Sequence, residues 1–166
     1  MSVTVLRHQF SKQGDQGRVT ISGSIDHLAQ FPTLELTSLK TLVLDLKGIT
    51  GLSSTGMRDW IFWLLGLEKA NPAMNLRLEN LAFVILRKMG DILRHLPRNL
   101  KITSFLMAFT CEHCNHSLDQ AFKASDILLA DGTIAKIPEP NCPKCGHRMQ
   151  EELGVDFIGL ASLLRK

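Results

Sequence analysis

The stretch TLVLDLKGITGLSSTGMRDW, from Thr41 to Trp60, decides the fold. It begins with the run Leu42–Leu46, which is apolar and short enough to be a buried strand. Lys47 and Gly48 interrupt this run, and the hydroxyl-rich segment 53–56 leads directly into a helix. A strand, a polar turn and a helix N-terminus present side-chain oxygens and backbone N–H groups at one edge of a sheet. We therefore expect this loop to be the functional edge of the protein.

The helix that follows the loop carries an apolar stripe at a spacing of three and four residues, which should face the sheet. The stripe consists of Met57, Trp60, Ile61, Leu64 and Leu65. Phe62 and Trp63 lie outside it, on opposite sides of the helix. Either a neighbouring element covers these two aromatic side chains, or they form an exposed apolar patch for a partner.

The rest of the first two thirds of the chain predicts a sheet with helices packed on it. Strands are predicted at Val3–Gln9, Arg18–Ile25, Met74–Glu79 and Leu100–Met107, with an irregular crossover at His27–Lys40 and a second helix at Leu81–His95. Asn80 is the predicted N-cap of that second helix. The first two strands form a hairpin, and the later strand–helix–strand–helix–strand order implies parallel pairing. The predicted class is therefore α/β, with a mixed sheet.

Composition limits the kind of protein. The chain has 166 residues, of which 45% are apolar and 21% charged, as is typical of a globular protein. The formal charge of +3 is spread along the chain without a dense basic block, so it does not indicate a nucleic-acid partner. The N-terminus lacks the pattern of a signal peptide, and no apolar run is long enough to span a membrane. These features predict a cytoplasmic protein.

Three motifs of the chain, taken in order, resemble the STAS family of anti-sigma factor antagonists. They are Gly23-Ser24-Ile25-Asp26, then the strand Leu42–Thr50, then the loop and helix start Ser53-Ser54-Thr55-Gly56-Met57. The likeness covers roughly residues 3–105, and it predicts a STAS-like domain over residues 1–107. In this chain Ser53 stands where the family usually has an acidic residue, and Lys47 stands where it often has serine.

The resemblance implies a regulatory module that binds an anti-sigma factor or protein kinase. The phosphorylation site it implies is Thr55, with Ser54 beside it. A phosphate at this helix N-terminus would act mainly by changing the surface that the partner meets. The alternative is that Ser54 or Thr55 merely caps the helix. The predicted partner-binding residues are Ser53, Gly56, Met57, Phe62 and Trp63, and the two aromatic residues also suggest a possible homodimer.

Four cysteines follow the predicted sheet as two C-x-x-C pairs. They are Cys111, Cys114, Cys142 and Cys145, with 27 residues between the pairs. Four thiolates at this spacing satisfy tetrahedral Zn²⁺, and a closed Cys₄ site is structural because it leaves no position for a substrate. The interval predicts two short strands, Ser117–Ser125 and Ile127–Ile137, with a hairpin turn at Asp131-Gly132. We therefore predict a zinc-ribbon-like element over residues 108–150.

Other uses of the cysteines stay open. An iron site resembling that of rubredoxin would use the same four ligands, although the first pair is followed by Asn115 and not by glycine. A redox role is a further alternative. His113, His116 or His147 could replace one cysteine as a ligand, but we expect these three to be exposed.

The last segment, residues 151–166, is predicted to be a helix that packs back on the main core. Nucleotide-binding loops and the H-E-x-x-H metalloprotease motif do not occur, so we predict no enzyme. The alternative functions are a nucleic-acid-associated zinc-ribbon adaptor and a small redox or iron protein. The adaptor is supported only by four basic residues, Lys123, Lys136, Lys144 and Arg148.

Overall fold

A computed structural model describes residues 5–152 and 155–165. The strands are β1 (Arg7–Gln13), β2 (Gln16–Ile25), β3 (Thr41–Leu52), β4 (Asn75–Glu79), β5 (Leu100–Ile102), β6 (Ser104–Thr110), β7 (Ser117–Lys123) and β8 (Gln150–Glu151). The α-helices are α1 (Ser54–Ala70), α2 (Phe83–Leu86), α3 (Met89–Ile92), α4 (Ala124–Ile127) and α5 (Phe157–Leu164), and Leu93–His95 forms a 3₁₀ turn. Within the described ranges, no helix is both long and apolar enough to cross a membrane. The α/β class predicted from the sequence is confirmed.

The larger of two sheets has five strands in the order β1-β2-β3-β4-β5. β1 and β2 are antiparallel, and the remaining neighbours are parallel. The chain moves across the sheet in one direction, so right-handed crossovers place α1 and α2 on the same face. The crossover between β2 and β3 contains no helix, in agreement with the irregular segment that Pro32 suggests.

The two faces of this sheet differ in polarity. The face that α1 covers is apolar, and its largest fully buried side chains include Ile21, Ile25, Leu42, Leu44, Leu46, Leu76 and Leu78. From α1, the stripe residues Trp60, Ile61 and Leu64 are buried, whereas Met57 and Leu65 are only partly buried. The opposite face carries Arg18, Asp45 and Glu79. The alternation of period two therefore places the core on one side of the sheet.

The prediction of one continuous helix over Leu81–His95 is wrong. The segment is broken into α2, α3 and the 3₁₀ turn, and α2 begins after Ala82 without a side-chain cap. Asn80 is not the N-cap, because it has a left-handed φ of +49° and its side-chain amide donates to Asp45. Without that cap, the helix begins later than predicted. The side chains of Met89, Asp91 and Leu93 in this segment lie outside the described set.

The strand predicted at 100–107 is also divided. β5 ends at Ile102, and the backbone and side chain of Thr103 both donate to the carbonyl of Leu78. β6 begins one residue later in a second sheet, which has the order β7-β6-β8. The predicted domain boundary after residue 107 therefore lies inside β6.

The second sheet and the last helix complete the chain. β7 lies within the predicted strand 117–125, but residues 128–137 form only an isolated bridge between Leu128 and Ile134 around the turn at Gly132. α4 occupies part of this interval because Leu128 N–H closes a helical turn on Ala124. α5 packs against β5 and α3. The predicted helix 151–166 also includes residues 153, 154 and 166, which lie outside the described residues.

Candidate functional site

The loop between β3 and α1 is held by a cap and a close backbone approach. The Ser53 hydroxyl accepts from Gly56 N–H at 3.0 Å, and Ser53 N–H donates to the Ile25 carbonyl at 3.0 Å. An added Cβ on Gly56 would lie 2.1 Å from that same carbonyl oxygen. Glycine is therefore required here because the first turn of α1 presses on the end of β2.

The cap separates the three hydroxyl residues by role. Ser53 is the N-cap of α1, so neither Ser54 nor Thr55 has the capping role that we considered for them. Both of those residues are exposed on the first turn of the helix. Residue 53 is only half-exposed, and its hydroxyl already accepts a hydrogen bond.

A shallow, mainly apolar groove runs along α1 from the same turn. It has a volume of about 280 Å³, and it is lined by Ser54, Met57, Arg58, Ile61, Phe62, Leu65 and His95. Phe62 is 63% exposed, which is unusual for a side chain of that size. The groove therefore joins an exposed hydroxyl, an exposed aromatic ring and two basic side chains on one surface.

The two aromatic residues that we predicted together have different surroundings. The Trp63 ring stacks on Phe31 with centroids 5.0 Å apart, and its indole N–H donates to the Pro32 carbonyl at 3.0 Å. The crossover before β3 thus partly covers Trp63, while Phe62 remains open. Of the five predicted partner-binding residues, Met57 and Phe62 line the groove. Ser53 and Gly56 shape the loop, and Trp63 packs within the chain.

A polar cluster on the face of the large sheet opposite α1 could not be foreseen from the sequence. Arg18 donates to both Asp45 and Glu79 at 2.7 Å, across three neighbouring strands. Asn80 also donates to Asp45, at 3.0 Å. Burial alone would raise the pKa of Asp45, but hydrogen bonds from Asn80, Arg18 and the Lys47 backbone outweigh it and lower that pKa. These residues are brought together by the pairing of β2, β3 and β4. Only the register of those strands, and no sequence motif, could have predicted the cluster.

The four cysteines converge on one point. Their sulfur atoms all lie within 4.8 Å of one another. The shortest separations join opposite pairs: Cys111 to Cys145 at 3.4 Å, and Cys114 to both Cys142 and Cys145 at 3.5 Å. A tetrahedral ion with metal–sulfur bonds of about 2.3 Å requires sulfur separations of about 3.8 Å. The four residues therefore form a site that could hold a metal ion.

The two C-x-x-C turns have the same backbone geometry. Cys111 N–H donates to the His116 carbonyl, and Cys142 N–H donates to the His147 carbonyl. At the equivalent position after each pair, Asn115 has a φ of +54° and Gly146 has a φ of +75°. Asparagine tolerates the left-handed region better than most residues. The first pair thus forms the same turn as the second without a glycine.

The environment of the thiols favours a negative charge at Cys142. Burial raises its pKa, but backbone hydrogen bonds from Lys144 and Cys145 and thiol hydrogen bonds from Cys114 and Cys145 lower it to about 6. The backbone hydrogen bond from His147 lowers the pKa of Cys145, whereas burial and the other three cysteines raise it. Burial and those cysteines prevail, and the pKa of Cys145 is raised to about 12. A negative charge at Cys142 thus favours the protonated thiol at Cys145. A divalent cation bound by the four sulfur atoms would replace the thiol protons.

The three nearby histidines lie outside the cluster of four sulfur atoms. The rings of His113 and His147 stack with centroids 4.0 Å apart, and both residues are exposed. His116 is half-buried and contributes its backbone carbonyl to the first turn. The stacked pair joins the tips of the two turns.

A comparison with models of protein families matches no family, and a comparison with curated proteins finds no relative of this chain.

Proposed function

We propose that this chain is a regulatory protein-interaction module of the kind that the STAS resemblance implies, binding its partner at the start of α1. The observation that carries the proposal is the groove beside the β3–α1 loop. It places the exposed ring of Phe62 and the aliphatic side chain of Met57 on the same surface as the Ser54 hydroxyl. Exposed aromatic side chains in a pocket are the usual anchors of protein interfaces.

Phosphorylation at this surface would regulate binding. Ser54 is a better acceptor than the Thr55 that the resemblance favours, because it lines the groove, while both are exposed. A phosphate there adds about −1.5 to −2 charges beside an apolar surface. Arg58 follows four residues later on the same helix and lines the same groove, so it would pair with the phosphate. The modified loop would then lose its apolar contact with the partner.

We assign the partner to the anti-sigma factors and protein kinases of the STAS type, and a homodimer through the groove is the competing arrangement. The test is calorimetric titration of candidate anti-sigma kinases with the purified chain. Phe62→Ala and Ser54→Glu should each weaken binding at least tenfold. Leu28→Ala and Thr50→Glu are matched controls, because both residues are exposed and lie outside the groove. Equal losses in the controls, or no binding by any such kinase, would reject the proposal.

We further propose that the four cysteines hold Zn²⁺ in a structural role. The sulfur geometry fits a tetrahedral ion, and four thiolate ligands leave no open coordination position for chemistry. Metal analysis of the purified protein should give one zinc ion per chain. Iron, or a reversible disulfide without metal, would instead favour the redox alternative. Salt-sensitive DNA binding that depends on Lys144 would favour the nucleic-acid adaptor.

A further inference from the structure

The outer side of β1 is an open sheet edge. The strand lies at the end of the five-stranded order and pairs with β2, and all seven of its residues are exposed. At the opposite edge, β5 has only three residues and packs against α5. Across the described ranges 5–152 and 155–165, β2 is the one strand that pairs with β1. Alternate residues of β1 therefore direct backbone N–H and C=O groups outward, where another chain could pair with them.

The formally charged side chains of β1 are both positive. The strand contains Arg7, His8 and Lys12, and it contains no carboxylate. Lys12 donates to the neutral Ser38 hydroxyl at 2.6 Å. Among the side chains that the structure describes, no carboxylate forms an ion pair with Arg7 or Lys12. The two cations are therefore available to acidic groups on a neighbouring strand.

An apolar side chain lies in the middle of the strand. Phe10 pairs with Val19 in the register of the hairpin, and a Cβ on Gly17 would lie 3.0 Å from its ring. The ring is nevertheless 39% exposed. Because His8 and Lys12 are two residues away on either side, they share one face of the strand with Phe10. This face thus carries an imidazole, an aromatic ring and the cation of Lys12 in turn.

We propose that β1 is a docking strand for an extended, acidic segment of a partner protein, which joins the sheet antiparallel to β1 as a sixth strand. Backbone hydrogen bonds would supply affinity, and the side chains opposite Phe10 and the cations would supply specificity. A second copy of this chain fits less well. Antiparallel self-pairing about Phe10 would place His8 opposite Lys12 twice, which brings no carboxylate to either Lys12 side chain. This surface is separate from the α1 groove, whose lining includes no residue of β1.

The test uses a seven-residue peptide whose two termini are blocked. It has valine at position 4, glutamate at positions 2 and 6, and threonine at the other four positions. In antiparallel pairing about Phe10, the two glutamates lie opposite Lys12 and His8. NMR titration of the full chain should shift the amides of β1, and hydrogen exchange of its outward amides should slow. A second peptide with lysine in place of glutamate should bind at least tenfold more weakly. Equal binding of the two peptides, or shifts elsewhere than β1, would overturn the proposal.

Charge reversal provides the matched variant. The double substitution His8→Glu and Lys12→Glu puts a carboxylate opposite each glutamate of the peptide, so it should weaken the glutamate peptide at least tenfold and strengthen the lysine peptide. Folding of the variant is checked by its circular dichroism, and Lys12→Gln provides a milder change that should lower glutamate-peptide affinity about threefold. Phe62→Ala should leave peptide binding unchanged, which separates this surface from the groove. A dimer that the double variant dissociates would identify a second copy as the occupant and reject the acidic partner.

Discussion

The two sheets of this molecule are stabilised in different ways. In the five-stranded sheet, most aliphatic side chains of the three central strands are buried on the face that α1 covers. In the three-stranded sheet, β6 is buried, but β7 exposes alternate residues and β8 has only two. Four thiols close the far end of this second sheet. We therefore expect burial alone to suffice for the first sheet, whereas the second should depend in addition on the metal ion that we propose.

Removal of the metal should produce the largest effect and should affect only one sheet. Structural zinc binding contributes about 10–16 kcal/mol in small zinc peptides at neutral pH. We expect a chelator, or Cys142→Ser, to abolish hydrogen-exchange protection in β7 and β8 and in the two C-x-x-C turns. Protection in β2, β3 and β4 should persist. Mass spectrometry of exchanged peptides would measure both regions in one experiment.

The control for this experiment is His113→Ala, which removes a neighbouring side chain and keeps the four sulfur atoms. It should retain the metal and the protection of β7. If chelation instead unfolds both sheets together, the second sheet is part of the main core and the contrast between them fails.

The tight approach of α1 to β2 predicts the next largest effect. Gly56→Ala would place a Cβ 2.1 Å from the Ile25 carbonyl oxygen, so the helix must shift. We expect a loss of about 3 kcal/mol in the free energy of unfolding. Gly66→Ala on the same helix is the matched control, since no atom lies within 4 Å of its added Cβ. It should stabilise the protein by about 0.5–1 kcal/mol. Urea denaturation would measure both variants, and a Gly56→Ala variant as stable as the wild type would contradict the packing.

Local signals in the sequence predicted much of the first sheet. The alternation in Arg18–Ile25, the run Leu42–Leu46 and the stripe beginning at Met57 each follow from a short-range period. The prediction of one continuous helix after β4 was wrong, because the sequence indicated only that this segment is apolar. The left-handed φ of Asn80 and its bond to Asp45 depend on the neighbouring strand.

The candidate site divides in the same way. Cysteine spacing predicted which four residues meet, because each C-x-x-C turn is local and a single ion needs both. The sequence left open whether Trp63 would be covered within the chain, because its contact with Phe31 depends on the path of an irregular crossover. The open edge of β1 likewise depends on strand order. The STAS resemblance and its implied partner remain predictions.

Titration of the Arg18–Asp45 cluster should show a smaller effect, confined to the first sheet. Because the pKa of Asp45 is lowered from its ordinary 3.8, the carboxylate stabilises the fold above that pH. This contribution is lost as pH falls through the lower pKa of the folded protein. Asp45→Asn should therefore cost about 1–2 kcal/mol at pH 7, limited because Arg18 is 42% exposed and screened by water. Denaturation at pH 7 and at pH 2.5 should show the difference between variant and wild type shrinking in acid. A difference independent of pH would mean that the carboxylate charge contributes nothing.

The smallest expected effect separates the structural role of the loop from its proposed regulatory role. Ser53→Ala removes the acceptor for Gly56 N–H and should cost about 1 kcal/mol of stability, as the loss of an N-cap usually does. Ser54→Ala is the matched control, because this exposed hydroxyl is not the cap, and stability should change by less than about 0.5 kcal/mol. For partner binding and phosphorylation, Ser54→Ala should have the larger effect and Ser53→Ala the smaller one. Ser54→Ala should abolish modification at that position, whereas Ser53→Ala should leave it intact as long as the helix begins at the same residue. If both substitutions reduce stability equally, Ser54 is part of the cap, and its hydroxyl is no longer the one free to receive a phosphate.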